Sequence, residues 1–366
     1  MNIEEKCPEN VTFIELQYCC EILDNKRKPI TKADRQSGSY PYYGANGIQD
    51  YVNDYIFDGC FVLVGEDGSV VTPTGKPVVN WAEGKIWVNN HAHIIKENGT
   101  VLLRFLFHYL QTVTVAPLIH GNIPKLTGKD FRQIKIPVPP LEVQHEIVRV
   151  LDNFMLLSAE LSAELKARKQ QYDYYRNKLF TFDKDINYLK LQDIAEIGTG
   201  SSNTNDGLAQ GDYPFFVRSQ EPLRKNDYEF DETAIITAGD GVGVGKVFHY
   251  VDGKYALHQR AYRIHITSPE VMPKYYFHYM RVAFLPYIQK TMYHGSVASI
   301  RRPMLNAFPV PVPPLEAQEQ IVKTLDSFDA ICSDFEIGIP AEIKARQKQY
   351  EYYRDKLLTF KEIETA

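Results

Sequence analysis

Several stretches of the sequence carry residue types that do chemistry in other proteins. "GDGVGVGK", from Gly239 to Lys246, looks like a phosphate-binding loop, where backbone N–H groups cradle phosphates and a Ser or Thr holds magnesium. Asp240 stands where the first Gly of that pattern belongs, and Val247 stands where the hydroxyl belongs. These residues read instead as a Gly-rich turn between strands. The E-x-K of metal-dependent nucleases is echoed by Glu164-Leu165-Lys166 and Glu342-Ile343-Lys344. Both flank apolar positions of long helices, where Glu and Lys are ordinary solvated residues. "NHAH" (Asn90, His91, His93) would begin a metal site, but no third ligand follows at useful spacing, and alternating His is commonplace in a strand. No Ser/His/Asp or Cys/His arrangement can be defended. The five cysteines (Cys7, Cys19, Cys20, Cys60, Cys332) are few, odd in number and without metal-ligand spacing. The residues describe a non-catalytic chain with no metal of its own.

At 366 residues the chain is long enough for two or three domains. No run of eighteen apolar residues occurs, and the opening "MNIEEKCPEN" lacks the apolar core of a signal peptide. The expectation is a cytoplasmic protein with no membrane partner. The net charge is −5, and almost all of that acidity lies beyond residue 314. Nucleic-acid binders are usually basic overall, so near-neutral domains count against that class. They do not decide it, because a neutral domain can gather its positive charge on one face.

The organisation is a repeat. "IPVPPLEVQHEIVRVLDNF" from Ile136 returns as "VPVPPLEAQEQIVKTLDSF" from Val310, and "ELKARKQQYDYYRNKLFTF" from Glu164 returns as "EIKARQKQYEYYRDKLLTF" from Glu342. The segments before the prolines match only faintly: "YIFDGCFVLVGEDG" from Tyr55 with "YEFDETAIITAGDG" from Tyr228, Phe107-His108-Tyr109 with Phe277-His278-Tyr279, and His120-Gly121-Asn122 with His294-Gly295-Ser296. The chain reads variable, constant, variable, constant.

Each constant part is a helix entered through prolines, which suit an extended approach and not a helix interior. Steps of four and three land on Ile147, Leu151, Phe154, Ser158, Leu161, Leu165, Arg168, Tyr172, Tyr175, Leu179 and Phe182, a sustained heptad seam. The second copy gives Ile321, Leu325, Phe328, Cys332, Phe335, Ile339, Ile343, Arg346, Tyr350, Tyr353, Leu357 and Phe360, with two successive steps of four around Ile339. That is a stutter, and Gly338 and Pro340 beside it predict a break with the helix restarting near Pro340. Seams this long favour the two helices packing on each other. The variable parts mix short β-like runs, Gly/Asn/Asp turns and one helical piece each, "LLRFLFHYLQ" and "PKYYFHYMRVAFLPYIQK", which predicts compact α/β domains.

This layout resembles the specificity (S) subunits of Type I restriction-modification enzymes over essentially the whole chain. "PVPPLEVQHEIVRVLD", "PVPPLEAQEQIVKTLD" and the two "QYxYYRxKL" helix ends carry the resemblance, and "SAELSAEL" from Ser158 is similar to the tandem tetrapeptide in the central helix of some members. The resemblance implies an α/β (α+β) fold of two target recognition domains, residues 1–139 and 183–313. A central helix (140–182) and a C-terminal helix (314–366) would separate them as an antiparallel coiled coil with pseudo-twofold symmetry. It also implies that each domain reads one half of a split, asymmetric site in double-stranded DNA, and that the helices dock methyltransferase (M) subunits, two in number. S-adenosylmethionine and adenine N6-methylation would belong to the M subunits; ATP, magnesium and cleavage would belong to restriction (R) subunits; this chain would hold no cofactor. Two alternatives stay open: a specificity module for a system that fuses methylation and cleavage in one polypeptide, and an assembly scaffold whose variable domains bind proteins.

Base edges are read by Arg, Asn, Gln and Lys, and at times by Ser or His. Candidate contacts in the first domain are Asn46, Lys76, Asn89, Asn90, His91, His120, Asn122 and Lys125. In the second they are Arg218, Gln220, Gln259, Arg260, His294, Ser296, Arg301 and Arg302. Asn90 corresponds to Gln259 and His91 to Arg260. The competing reading is solvated loop residues, or a structural His-Gly turn shared by both halves.

One prediction follows from "SAELSAEL". Four helical residues add about 6 Å and leave a rotation of roughly 40° beyond a full turn. Leu161 and Leu165 both lie on the seam, so one more SAEL after Leu165 keeps an apolar junction. The insertion is expected to lengthen the unread spacer of the methylated site and leave both half-sites unchanged. Methylome sequencing checks it; an unchanged spacer in an active enzyme would show that the helix does not set the distance.

Overall fold

The computed structural model describes residues 10–68, 70–182, 186–291, 299–333 and 336–363, with only the backbone of His120 and Thr291. Cys7, the seam residue Phe335 and the candidate contacts His294 and Ser296 lie outside the described residues. Two compact units form: Met1–Ser162 with Glu342–Ala366, and Ala163–Ala341.

The first unit holds a sheet of β1 (Cys20–Ile22), β2 (Ser37–Gly44), β3 (Gly47–Val52), β4 (Phe57–Gly65), β5 (Val79–Val88) and β6 (Ala92–Glu97), in the order β1-β6-β4-β5-β2-β3. The second holds β7 (Ala195–Thr199), β8 (Tyr213–Phe216), β9 (Leu223–Lys225), β10 (Phe230–Ala238), β11 (Phe248–Leu257) and β12 (Ala261–Ile266), in the order β7-β12-β10-β11-β8-β9. The two orders are the same. Both sheets are antiparallel except for one parallel pair at the same place, β2 with β5 and β8 with β11. Sequences that match only faintly have therefore kept one topology.

Side chains alternate across the central strands, so each sheet has a core on both faces. Val62 and Val64 of β4 pack with Leu103, Phe105, Leu106 and Leu110 of helix α1 (Leu103–Leu110), while Phe61 and Leu63 pack with Ile86, Val88 and Ile94 on the other side. In the second unit Ile235 of β10 joins Tyr275, Tyr276, Met280 and Phe284, and Ala234 and Ile236 join Tyr255 and Leu257.

Beyond the sheets, the proline-led segments form strands. Lys135–Val138 pairs antiparallel with Asn10–Glu15, and Pro309–Pro311 pairs antiparallel with Tyr188–Lys190. Residues that lack an N–H are tolerated at such edge pairings. Helix α2 (Leu141–Leu179) follows the first proline segment, and α4 (Leu315–Ser333) follows the second. Helix α3 (Pro273–Thr291) is the second unit's counterpart of α1. A separate helix, α5 (Ile339–Leu357), follows with Pro340 in its first turn, as the stutter predicts.

Within each unit a stretch of α2 pairs antiparallel with a second helix through the predicted seam. In the first unit Phe154 stacks on Tyr353, with ring centroids 5.2 Å apart. In the second, Tyr172 and Tyr175 lie 5.9 and 5.8 Å from Phe328. The nuclease-like Glu164 and Glu342 are exposed and pair along their own helices with Arg168 and Arg346.

The same side chains fasten each sheet domain to its helix. Gln144, 1% exposed, accepts from the Leu102 N–H at 2.9 Å, just before α1, and donates to the Pro139 carbonyl at 2.9 Å. Gln318, fully buried, accepts from the Met272 N–H at 2.9 Å, just before α3, and donates to the carbonyls of Pro313 and Glu270 at 2.8 and 2.7 Å. About two helix turns further along α2 and α4, buried His108 of α1 meets Asp152 at 2.8 Å, and buried His278 of α3 meets Asp326 at 2.7 Å. Burial lowers the pKa of both histidines against the raising pull of their aspartates. A neutral His108 makes both of its bonds: Nε2–H donates to Asp152, and Nδ1 accepts from the Tyr350 hydroxyl of α5 at 3.1 Å.

Replacing the carboxamide tests this fastening. Gln144→Leu fills the same space and leaves one N–H and one C=O without partners. Each such group costs about 1–3 kcal/mol when buried, so the variant is expected to lose roughly 2–4 kcal/mol. Urea unfolding followed by far-UV circular dichroism measures it. A loss under about 0.5 kcal/mol would show that water replaces the carboxamide.

Candidate nucleic-acid interface

In each unit three loops meet at the sheet end reached by the C-termini of β4 and β10. In the first unit they are the segment after β4, the turn between β5 and β6, and a small hairpin that pairs His120 with Lys125. Backbone contacts lock them: Asp67 bridges to Lys125, the Leu126 N–H donates to the Glu66 carbonyl at 2.8 Å, and the Gly68 N–H donates to the Pro124 carbonyl at 3.0 Å. The second unit repeats this, with Asp240 bridging to Ser299 and the Ile300 N–H donating to the Gly239 carbonyl at 2.8 Å.

The turn that offers Asn90 and His91 is shaped by the residue before them. Asn89 is 3% exposed, and its Oδ1 accepts from the His91 N–H at 2.8 Å while its Nδ2 donates to Gln49 at 3.3 Å. Its counterpart His258, 4% exposed, accepts through Nδ1 from the Arg260 N–H at 2.9 Å. A ring nitrogen that accepts must be unprotonated, and burial together with the Arg218 charge lowers the His258 pKa. Asn89 was expected to contact a ligand; its side chain is instead spent on the turn.

The other expected contacts fall into distinct places. Asn90 and Asn122 are exposed, and exposed His91 hydrogen-bonds through Nδ1 to Asp67. Lys125 pairs with Glu66 at 3.3 Å. Asn46, in the β2–β3 turn, is exposed and shares a cleft of about 530 Å³ with Lys76. The Lys76 amine is half-buried and donates to the Thr112 carbonyl and to the Thr114 hydroxyl, so it ties loops together. In the second unit Arg218, Gln259 and Arg260 line one cleft of about 430 Å³ with Asn203, Asp206 and His258. Gln259 donates to Asn203. Gln220 is exposed nearby in sequence. Exposed Arg301 precedes the short helix Arg302–Asn306, and Arg302 donates to the Ile197 carbonyl at 2.5 Å, a structural tie. Only the backbone of His120 is described.

Sequence reasoning missed the carboxylates that organise these cations. Asp240 accepts from Arg218 through one oxygen at 2.6 Å and from Arg260 through the other at 3.2 Å. Burial would raise its pKa, but the two guanidinium groups outweigh it and hold the carboxyl below the usual range. In the first unit Arg27 donates to Glu66 and to the Ala92 carbonyl, both at 2.6 Å. The aligned "GEDG" and "AGDG" were the available signal. The Gly-rich stretch after Asp240 is the turn between β10 and β11, and a Cβ at Gly243 would lie 2.5 Å from the Arg218 carbonyl.

The two histidines of "NHAH" separate. His91 faces the surface, and His93 is fully buried, stacked on Phe131 at 4.2 Å. Its Nδ1 meets Asp24 at 2.7 Å and its Nε2 meets the Leu126 carbonyl at 3.0 Å. Asp24, Glu66 and His93 bring ligand-type atoms within 4.8 Å of one another, but the Arg27 guanidinium already serves both carboxylates. The arrangement is an ion-pair network. Its counterpart in the second unit is a hydroxyl: Tyr262 donates to the Ile300 carbonyl at 3.4 Å.

His93 therefore anchors the hairpin that carries Asn122 and Lys125. His93→Phe keeps the stack on Phe131 and removes both hydrogen bonds. Hydrogen exchange is expected to speed up about tenfold or more across residues 119–126, equivalent to about 1.4 kcal/mol of lost local protection, with β4 and β5 unchanged. Exchange read by mass spectrometry checks it; equal protection of the hairpin in both proteins would remove His93 from this role.

Known proteins share this architecture. The family model for the Type I restriction modification DNA specificity domain matches twice, over residues 8–168 and 183–345. A Haemophilus influenzae protein described as a type I restriction enzyme specificity subunit is 34% identical over 377 residues, covering 96% of each chain. A type I restriction enzyme specificity subunit of Escherichia coli is 31% identical over 302 residues, 74% of each chain. In structure, the S subunit of a type I restriction-modification system from M. genitalium superposes with a TM-score of 0.63 at 14% identity, over 97% of this chain and 98% of that one, a likeness of fold. Two sheet units of one topology, each fastened by the same residues to a proline-led helix, are matched twice by the same domain model, and this chain belongs to the type I restriction-modification specificity subunits.

Proposed function

We propose that the chain is the DNA-reading subunit of a Type I restriction-modification complex. Residues 1–139 and 183–313 are the target recognition domains, each reading one half of a split site in double-stranded DNA, and residues 140–182 and 314–366 are the helices that carry them. The chain supplies sequence recognition and no catalysis or cofactor of its own. M subunits bring S-adenosylmethionine and the adenine N6-methylation chemistry, R subunits bring ATP, magnesium and cleavage, and the complex works in the cytoplasm.

One observation carries this reading: the two units keep topology, fastening and loop locks in common but differ in the polar residues at corresponding turns. Asn90 and His91 stand where the other unit has Gln259 and Arg260. A common frame with exchanged polar tips is what reading two different half-sites requires.

The docking of two M subunits is supported by a second helix face. Glu164, Ala167, Gln171, Tyr174 and Lys178 are all exposed, and each is identical to its exposed counterpart, Glu342, Ala345, Gln349, Tyr352 and Lys356. The central tyrosines are 59% and 60% exposed. Identity on an exposed face is explained by a repeated partner. A protein-binding scaffold without DNA affinity is the reading to exclude.

The test is a chimera. Residues 1–135 are replaced by the matching domain of another S subunit, and the adjacent methyltransferase gene is co-expressed. Methylome sequencing is expected to show N6-methyladenine in a split sequence with one half changed and the other kept. If both halves change, or no split site is methylated, the reading is wrong.

A further inference from the structure

We propose that Asp67 and Asp240 are specificity-determining positioning residues, each holding the base-reading side chains of its unit in fixed orientation and keeping them from binding phosphate indiscriminately. The inference rests on the DNA-reading function proposed above. A carboxylate on a surface that approaches a polyanion opposes binding, so its presence needs a cause.

That cause is visible twice. Both aspartates follow the buried central strand, β4 or β10, and both bridge through the backbone to the adjoining loop, at Lys125 or Ser299. Asp67 pairs with His91, and Asp240 pairs with Arg260, the residue at the corresponding turn position. The held residue differs between the units and the holder does not. Asp240 goes further, with one oxygen on Arg218 and the other on Arg260. A guanidinium has five N–H donors in a rigid fork, so one bond to Asp240 aims the fork and leaves donors for a base edge. Arg218 and Arg260 keep side-chain exposures of 39% and 62%. Asp240 itself is 22% exposed and fixed in place, so it orients both arginines without swinging with them.

The experiment uses the full chain assembled with its methyltransferase and S-adenosylmethionine, with methylome sequencing and with binding to an unrelated duplex measured across salt concentrations. Asp240→Asn keeps the shape and removes the charge. It is expected to make one or more base pairs degenerate in the half-site of the second unit only, and to tighten binding to the unrelated duplex about fivefold at low salt, the size of one near-surface charge contact. Asp67→Asn is expected to relax the other half-site only. Asp240→Glu keeps the charge and lengthens the arm, so it should relax the motif without tightening binding to the unrelated duplex. A role confined to loop stability predicts lower thermal stability with an unchanged motif. If both Asn variants methylate the wild-type motif and bind the unrelated duplex as wild type does, the inference is overturned. If the wild-type complex itself methylates no split site, the DNA-reading function fails first and takes the inference with it.

Discussion

The carboxamides of Gln144 and Gln318 are the point at which each sheet domain and its helix become one body. A buried amide must place its donor and acceptor on partners, and here the partners lie on two elements: the chain entering α1 or α3, and the proline carbonyl just before α2 or α4. Sliding the helix by one residue against the sheet domain would break the bond to the chain entering α1 or α3. Apolar packing alone does not impose such a register, since a Leu-rich face accepts several. The His108–Asp152 and His278–Asp326 contacts act in the same way about two turns along, and they favour a neutral ring because burial outweighs the pull of the carboxylate. The "PPLExQ" stretch is constant for this reason, while the sheet above it is free to change wherever its side chains leave the core.

Legibility followed the range of the interaction. The heptad seam, the break beside Gly338 and Pro340 and the Gly-rich turn after Asp240 are local patterns, readable from spacing, and the chain adopts them. The sheet order was not readable, because β1 lies beside β6 through pairings between residues far apart, Cys20 with Glu97 for example. Individual polar residues were the least legible. Asn89 and Asn90 are neighbours of one type, yet one is buried in a turn and the other is exposed. Only the fold decides between them. Lys76 and Arg302 show the same limit: a cation on a loop reads as a phosphate contact until a backbone carbonyl is found within reach of it.

The near-neutral charge of the variable domains looked like an argument against nucleic acid. It becomes intelligible once the cations are seen in their places. Lys125 faces Glu66, His91 faces Asp67, and Arg218 and Arg260 share Asp240. Counting charge over a domain sets these cations against the acids beside them and discards the geometry. A reader that must reject most sequences gains little from a strong uniform field, since phosphate attraction is the same for every site. It gains from cations whose direction is fixed before binding, because the ordering cost is then met in folding.

The two units also show how different side chains can do one structural task. The carbonyl of Leu126 is held by an imidazole at His93 in one unit, and that of Ile300 by a phenol at Tyr262 in the other. The N–H of the turn that joins β5 to β6, or β11 to β12, is taken by an amide at Asn89 and by an imidazole at His258. In each case the requirement is a donor or an acceptor at a point fixed by the backbone, and the residue type is secondary. Sequence comparison does not register such equivalence, since it scores the type and not the atom presented. The frame therefore persists beneath the divergence: what the two halves share is a set of points where a hydrogen bond must close, with the side chains between those points left open to vary.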